Sequence, residues 1–493
     1  SKAAAVHIPP QVWQATADGG EAEFLVVLRE QAQLDHVASI SDRDARLHAV
    51  YDALRFTALN TQRSLRAELD AAGVSYRAFY IVNMLLVRGD RALLTRLATR
   101  SDVVGISANP RTRQAMPVSQ ALAASSAAPS AVAWGVQSIS ATLVWSQGYT
   151  GTGIVVAGAD TGYAWEHPAL IRQYRGYDGI TATHDYNWHD AVHEDGGVSC
   201  PEDSVEPCDG HYSFHGTHTM GTMVGDDGAG HQIGVAPGAR WIGCRNMDGS
   251  GAGTPDRYAE CFQFFLAPYP IGGDPFTDGE PSLAPHVINN SWSCTVEEGC
   301  EGVEITRTLQ PIVEVLRAAG IVVVAAAGNS GWGCSSVSEP PAIYDAAFTV
   351  GATNQNDTIA LTSSRGPVTV DGSGRPKPDI SAPGVAISSS ILIGNPYSYT
   401  YSYGTMGGTS MAAPHVAGAV ALLWSAVPAF VGQVDATEHT LMWSARPRVN
   451  LDCGGAAGGI PNNVYGWGIV DALGAIQKAL GYRQHYLPLV LRG

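Results

Sequence analysis

From residue 21 onward the spacing of apolar positions changes repeatedly, and each change predicts an element. EAEFLVVLRE (21–30) is apolar across its centre and predicts a strand. Residues 35–72 are helix-rich, with Leu54, Leu59, Leu65 and Leu69 forming an approximate helical stripe. VSYRAFYIVNMLLVRG (74–89) predicts two strands, DRALLTRLATRS (90–101) a short amphipathic helix, and VVGISANP (103–110) a last strand. The order β-α-β-β-α-β describes a small two-layer α+β unit of about 90 residues.

The pattern then stops. QALAASSAAPSAVA (120–133) is rich in Ala and Ser with no apolar period, and reads as an exposed, cleavable linker. Beyond it, apolar runs such as GIVVAGAD (153–160), HVINNSWS (286–293) and GIVVVAAAGN (320–329) alternate with helical stretches and end in polar residues. Such runs predict a buried parallel sheet whose carboxyl edge carries a site. The expected division is an extension (1–20), the small unit (21–113), a linker (114–133), a large α/β domain (134–481) and a tail (482–493). The tail is too short to span a membrane, and no apolar run reaches the roughly 18 residues that spanning requires.

Composition adds a compartment and excludes a partner. The chain of 493 residues carries a formal net charge of −16, which argues against nucleic acid. Residues 1–115 hold 14 Lys/Arg and 12 Asp/Glu, so the net negative charge comes from the remainder, with 15 basic and 33 acidic residues. A slightly basic unit joined to an acidic body suits two mutually attracting parts, and acidity that serves only solubility gives the same count. All eight Cys lie in the acidic part; the even number suggests disulfides and an oxidising compartment, with Cys200/Cys208 and Cys294/Cys300 near enough to close short loops. The chain opens SKAAAVHIPP, with no initiating Met and no cationic-then-apolar leader.

One stretch poses a chemical question. GTSMAAPHVAG (408–418) surrounds Ser410 with Gly and Ala, just before a strongly apolar helical segment with Pro414 expected in its first turn. A hydroxyl at a helix N-terminus, with room around it, suits a nucleophile whose product oxyanion meets the positive end of the helix; it also suits a plain N-cap. A nucleophilic Ser needs a base and a group to orient it. HGTHTMGTMVG (215–225) offers His215, and Asp160 ends an apolar strand where it could equally cap a turn. His215 and His218 are spaced as a metal pair, but no third ligand accompanies them.

ADTG, HGTHTMGT and GGTSMAAPHVAG, in that order, resemble the three signature blocks of subtilisin-like serine proteases. WGVQSISATLVWSQGYTGTG, VINNSW, VVVAAAGN and KPDISAPG resemble further blocks of that family, and residues 21–113 its inhibitory propeptide. HTMGTMVG, IGVAPGARWIGCRNM and RYAECFQFFLAP point to the bacillopeptidase F-like branch. The resemblance implies a three-layer α/β domain with a mostly parallel sheet behind a ferredoxin-like prodomain. It implies Ser410 as nucleophile, His215 as proton shuttle, Asp160 as its orienting acid and Asn329 as oxyanion donor, with Ser291, Trp292, Ser293, Ala327 and Gly328 along the substrate. It implies a secreted endopeptidase made as a self-processing precursor, acting on proteins or peptides and held by its own residues 21–113. The chemistry requires no cofactor; a structural calcium is possible at no assigned site.

Three departures stand out. Ser293 occupies a position where the family has Gly. Ala169 replaces an Asp that helps bind calcium in the family. Glu339 falls near the floor of the pocket for the residue before the cleaved bond, or else is a solvated loop residue. With Arg111 and Arg113 ending the prodomain tail (NPRTRQAM), a carboxylate there predicts preference for Arg and self-processing at or just after Arg113. The rival reading is a catalytically silent binding or scaffolding protein on the same fold. A related acid-active family carries Glu where His215 stands.

Overall fold

The computed structural model describes residues 6–113, 120–121, 132–210, 213–295, 300, 308–395 and 398–490; the side chains of 112–113, 120–121, 395 and 482–490 fall outside that description. Most of the linker expected at 114–133 lies outside the described residues.

The amino-terminal unit contains β1 (Ala22–Leu28), α1 (Arg43–Thr61), α2 (Arg63–Ala71), β2 (Tyr76–Phe79), β3 (Met84–Gly89), α3 (Arg91–Ala98) and β4 (Val103–Ala108). Its four strands pair antiparallel in the order β2-β3-β1-β4. Asp42 and Asp90 cap α1 and α3, each accepting a backbone N–H at 2.8 Å. The helical stretch expected as one region divides at Gln62, whose side chain turns inward to donate to the Phe79 carbonyl at 2.7 Å and Asn83 Oδ1 at 2.9 Å.

This sheet is apolar on both faces. Phe24, Val26, Leu28, Leu85 and Val87 pack with leucines of α2 and α3. Leu25, Val27, Met84 and Leu86 face the other way, into a core shared with Phe262, Phe265 and Leu316 of the large domain. An antiparallel sheet needs only one covered face; the second is apolar here because the large domain covers it.

The large domain is built on seven strands: β5 (Val155–Asp160), β6 (Trp188–Asp190), β7 (Arg240–Arg245), β8 (Val287–Asn290), β9 (Val322–Ala326), β10 (Phe348–Thr353) and β11 (Ile380–Pro383). They lie in the order β11-β10-β9-β8-β5-β7-β6, and every ladder is parallel. Alternate residues serve opposite faces, as the two-residue period of a strand requires. Val322 and Val324 pack with α4 (His215–Val224) and α7 (Thr409–Ala426); Val323 and Ala325 pack with α5 (Pro255–Leu266) and α6 (Leu309–Ala318). Two helical layers thus sandwich the sheet, the three-layer α/β arrangement.

Strands β12 (Ile387–Asn395) and β13 (Ser398–Met406) form a separate antiparallel hairpin ahead of α7. After α8 (Val434–Ser444), helix α9 (Ala472–Val490) runs across the boundary expected at 481. No helix among the described residues is long and apolar enough to cross a membrane. Four disulfides join Cys200–Cys208, Cys244–Cys261, Cys294–Cys300 and Cys334–Cys453.

Candidate active site

The side chains singled out from the sequence gather at the carboxyl edge of the parallel sheet. Asp160 is the last residue of β5, flanked by β7 and β8. Open parallel sheets present their sites at this edge. His215 is the first residue of α4; the turn before it is made by Phe214 in the left-handed region, at φ 52°. His215 Nδ1 and Asp160 Oδ1 are 2.7 Å apart, with both side chains buried (0% and 1% exposed).

Asp160 is itself held. Its Oδ1 accepts from the Thr161 N–H at 2.8 Å, and its Oδ2 from Thr219 Oγ1 at 3.3 Å. An ionised carboxylate can only accept, so the proton between the pair sits on His215 Nδ1. Nε2 is then the lone-pair nitrogen. It is buried and, among the described residues, has no hydrogen-bond partner. A buried acceptor left unpaired costs about 1–3 kcal/mol; at a site this is the form a base awaiting a proton takes.

Ser410 lies in the first turn of α7, behind Gly408 at φ 149°. Its Oγ donates to the Ser291 carbonyl at 3.2 Å rather than to His215. Helix α7 packs against α4. Catalytic hydrogen bonds often close only when substrate is bound.

Pro414 was expected in the first turn, but α7 begins at Thr409 and places it inside the helix. The reason is local. Having no N–H, Pro414 leaves the Ser410 carbonyl without its helical donor. Ser291 Oγ supplies one instead, at 2.8 Å, and Asn289 Nδ2 donates to that same hydroxyl at 2.9 Å. Ser291 thus receives the Ser410 hydroxyl and braces its backbone.

Asn329 follows β9 and is solvent-exposed. Its Oδ1 accepts from Thr409 N at 2.9 Å and Thr409 Oγ1 at 3.1 Å, which directs Nδ2 away as a donor. Ala327 N–H donates to the Val350 carbonyl at 3.0 Å. Gly328, at φ 99°, makes the turn that delivers Asn329, and its N–H donates to Thr409 Oγ1 at 3.2 Å. Trp292 is buried and stacked on Tyr258, ring centroids 4.0 Å apart, so its ring belongs to the core beneath the site. Ser293 Oγ donates to Glu339 Oε2 at 2.6 Å, bringing together the two departures noted in the sequence.

His218 does not pair with His215 as a metal ligand would. Its Nε2 sits 3.0 Å from the Ile387 carbonyl, and burial lowers its pKa to about 3, so it is neutral. Among the described residues no group of three or more His, Cys, Asp or Glu is placed to hold a metal ion, and Ala169 offers no ligand. Asp209 escaped the sequence reading altogether. It accepts from Thr161 Oγ1 and from Thr217 N and Oγ1, at 2.7 to 3.1 Å, joining the residue after Asp160 to the turn of α4 that carries His215. Burial raises its carboxyl to about 6 against these donors. A lone Asp beside Cys208 carries no signal of that role.

Residues 151–468 match the subtilase family. The chain is 35% identical over 454 residues to bacillopeptidase F of Bacillus subtilis, covering 88% of this chain and 29% of that protein. It is 32% identical over 299 residues to subtilisin amylosacchariticus, covering 60% of this chain and 62% of that one. Alkaline elastase YaB of a Bacillus strain is 30% identical over 292 residues. The chain therefore spans less than two thirds of the first two relatives.

Proposed function

The chain belongs to the subtilase family, and from that premise we propose that it is a secreted serine endopeptidase made as a self-processing precursor. One observation carries the reading: the buried His215–Asp160 pair, 2.7 Å apart, with His215 Nε2 unpartnered among the described residues. Ser410 Oγ attacks the peptide carbonyl while its proton passes to Nε2. The tetrahedral oxyanion is met by Asn329 Nδ2 and the Ser410 N–H, one of the first-turn amides a helix leaves free. Collapse breaks the C–N bond, and the imidazolium protonates the leaving amine. Water then repeats the sequence on the acyl-enzyme, with the proton moving through His215 again. Asp160 orients the ring and balances its transient positive charge. A fluorophosphonate reagent should label Ser410, and the same preparation should cleave casein. A folded, processed chain that does neither would favour the silent scaffold.

Residues 21–113 act in this reading as the inhibitor of residues 134–481. Beyond the shared apolar core, Arg77 of β2 reaches across to Glu260 at 2.7 Å and Asp256 at 3.2 Å, both on α5. Burial would raise the Glu260 carboxyl, but Arg77 and His193 outweigh it and hold it well below the usual range. Arg111 pairs with Asp248 at 2.7 Å, and Thr112–Arg113 runs antiparallel to Ala252–Gly253, so the tail enters along a strand edge. The basic unit and the acidic body thus meet through specific pairs.

Residues 21–113 added in trans should inhibit the mature enzyme at micromolar concentration or below. Arg77→Ala leaves the buried Glu260 carboxylate with His189 and His193 but without its guanidinium, and should weaken inhibition by about 2 kcal/mol, about thirtyfold in Ki. Glu260 is depressed, so its share of the binding is complete above the ordinary carboxylate range and is lost as pH falls through its lowered value. Ki measured against pH, with and without Arg77, checks both statements; equal values would remove Arg77 from the lock.

A further inference from the structure

Among the described residues the carboxylate of Glu339 has no ion-pair partner. Among the described residues its one hydrogen bond is from Ser293 Oγ, at 2.6 Å, and no Lys or Arg forms an ion pair with it. Arg365, whose carbonyl accepts from the neighbouring Val337 N–H at 3.0 Å, is not within ion-pair distance. Glu339 is only half-buried, so one side is open to a visitor. A partly desolvated charge without a partner is costly to keep unless something supplies the opposite charge.

Its place relative to Ser410 is set by a short stretch of chain. Ser291 accepts the Ser410 hydroxyl through its carbonyl, and two residues later Ser293 holds Glu339. Two extended residues span about 7 Å, a distance comparable to an extended arginine side chain. The stretch is also tied down. Cys294 N–H donates to the Pro340 carbonyl at 2.8 Å, and Cys294 is bridged to Cys300. The carboxylate is therefore tied to a hydroxyl two residues along the chain from the carbonyl that holds Ser410 Oγ.

We propose that Glu339, positioned by Ser293, selects arginine at the residue whose carbonyl Ser410 attacks. The inference rests on the endopeptidase reading above and adds its substrate class. The Ser293 hydroxyl uses one lone pair of Oε2, which leaves Oε1 and the remaining Oε2 lone pair to accept the two parallel N–H bonds of a guanidinium. A lysine ammonium supplies the charge without the fork, so it ranks second. Leucine and phenylalanine leave the carboxylate unpaired, and acidic residues are repelled. A Gly at position 293, the ordinary family residue, could not hold the carboxylate in one orientation.

The test uses the processed enzyme and matched peptides bearing Arg, Lys, Leu or Phe before the scissile bond, each rate normalised by fluorophosphonate titration of Ser410. The expected order in kcat/KM is Arg, then Lys, with Arg ahead of Leu by about a hundredfold. In Glu339→Gln that ratio should collapse to within a few fold. In Ser293→Gly the lead of Arg over Lys should shrink. Should Glu339→Gln fail to fold, the wild type alone decides through competition: benzamidine, a planar amidinium, should inhibit, and neutral benzamide should not. A titratable enzyme that prefers Leu or Phe, or an Arg preference that survives Glu339→Gln, overturns this proposal alone. Equal inhibition by benzamidine and benzamide overturns it too. A chain whose Ser410 cannot be titrated overturns the endopeptidase reading and this proposal with it.

Discussion

Ser410→Ala abolishes proteolysis and leaves the precursor whole. The substitution removes only Oγ from a side chain that is 4% exposed, and with it one 3.2 Å bond to the Ser291 carbonyl. Such a bond contributes about 1 kcal/mol net, so the fold survives with a melting temperature lowered by a few degrees at most. The bracing bond from Ser291 Oγ to the Ser410 carbonyl is backbone-directed and remains. What disappears is the hydroxyl that the mechanism uses as nucleophile, in the first turn of α7. In subtilisin, a member of this family, losing the corresponding serine lowers kcat by about 2 × 10⁶-fold, and a drop on the order of 10⁶ is expected here. Because the proposed processing uses the same serine, the variant should also keep residues 21–113 attached. Peptide hydrolysis and intact mass report the two effects separately. Turnover within a hundredfold of wild type, from protein free of contaminating protease, would remove Ser410 from the mechanism.

Much of this site was legible because its parts sit where local pattern changes. Asp160 ends an apolar run, His215 opens a helix of small residues, and Ser410 lies in the first turn of another; each marks a junction of strand or helix with loop. The β-α-β-β-α-β order of the amino-terminal unit was legible for the same reason, and so were Cys200/Cys208 and Cys294/Cys300, whose partners are sequence neighbours. What escaped depends on distance through space. Cys334 and Cys453 lie 119 residues apart, and Cys244–Cys261 joins a strand to a helix. Periodicity gives the face of a residue but not the element opposite, so the pairing of Arg77 with Glu260 had no local trace. Trp292 shows the same limit: its place in a motif along the substrate carries no sign that its ring stacks on Tyr258. Pro414 was misplaced because small residues fit a turn and a close-packed helix equally well. The true start became visible only from the Ser410 carbonyl that Pro414 leaves to Ser291.

Asp160→Asn should cost less than the loss of Ser410 and should cost it in one place. The Asp160 Oδ1 position receives two N–H donors, His215 Nδ1 at 2.7 Å and Thr161 at 2.8 Å. An asparagine therefore settles with its carbonyl oxygen there and its amide toward Thr219. The Thr219 hydroxyl can accept that amide, because it also donates to the Gly216 carbonyl at 3.0 Å. The His215 tautomer is then preserved, Nε2 remains the base, and the ring keeps its orientation. The variant loses the negative charge beneath the imidazolium that forms as Ser410 attacks. Two unit charges about 4 Å apart interact by about 4 kcal/mol at an effective dielectric of 20, equivalent to about 10³-fold in rate. The fall should appear in kcat with KM nearly unchanged, since Asp160 is buried and touches no substrate. A loss near 10⁴ would point instead to a flipped tautomer, as when the amide rather than the oxygen faces the ring. A loss below tenfold would mean that Asp160 neither orients nor balances His215, and the buried 2.7 Å pair would need another explanation.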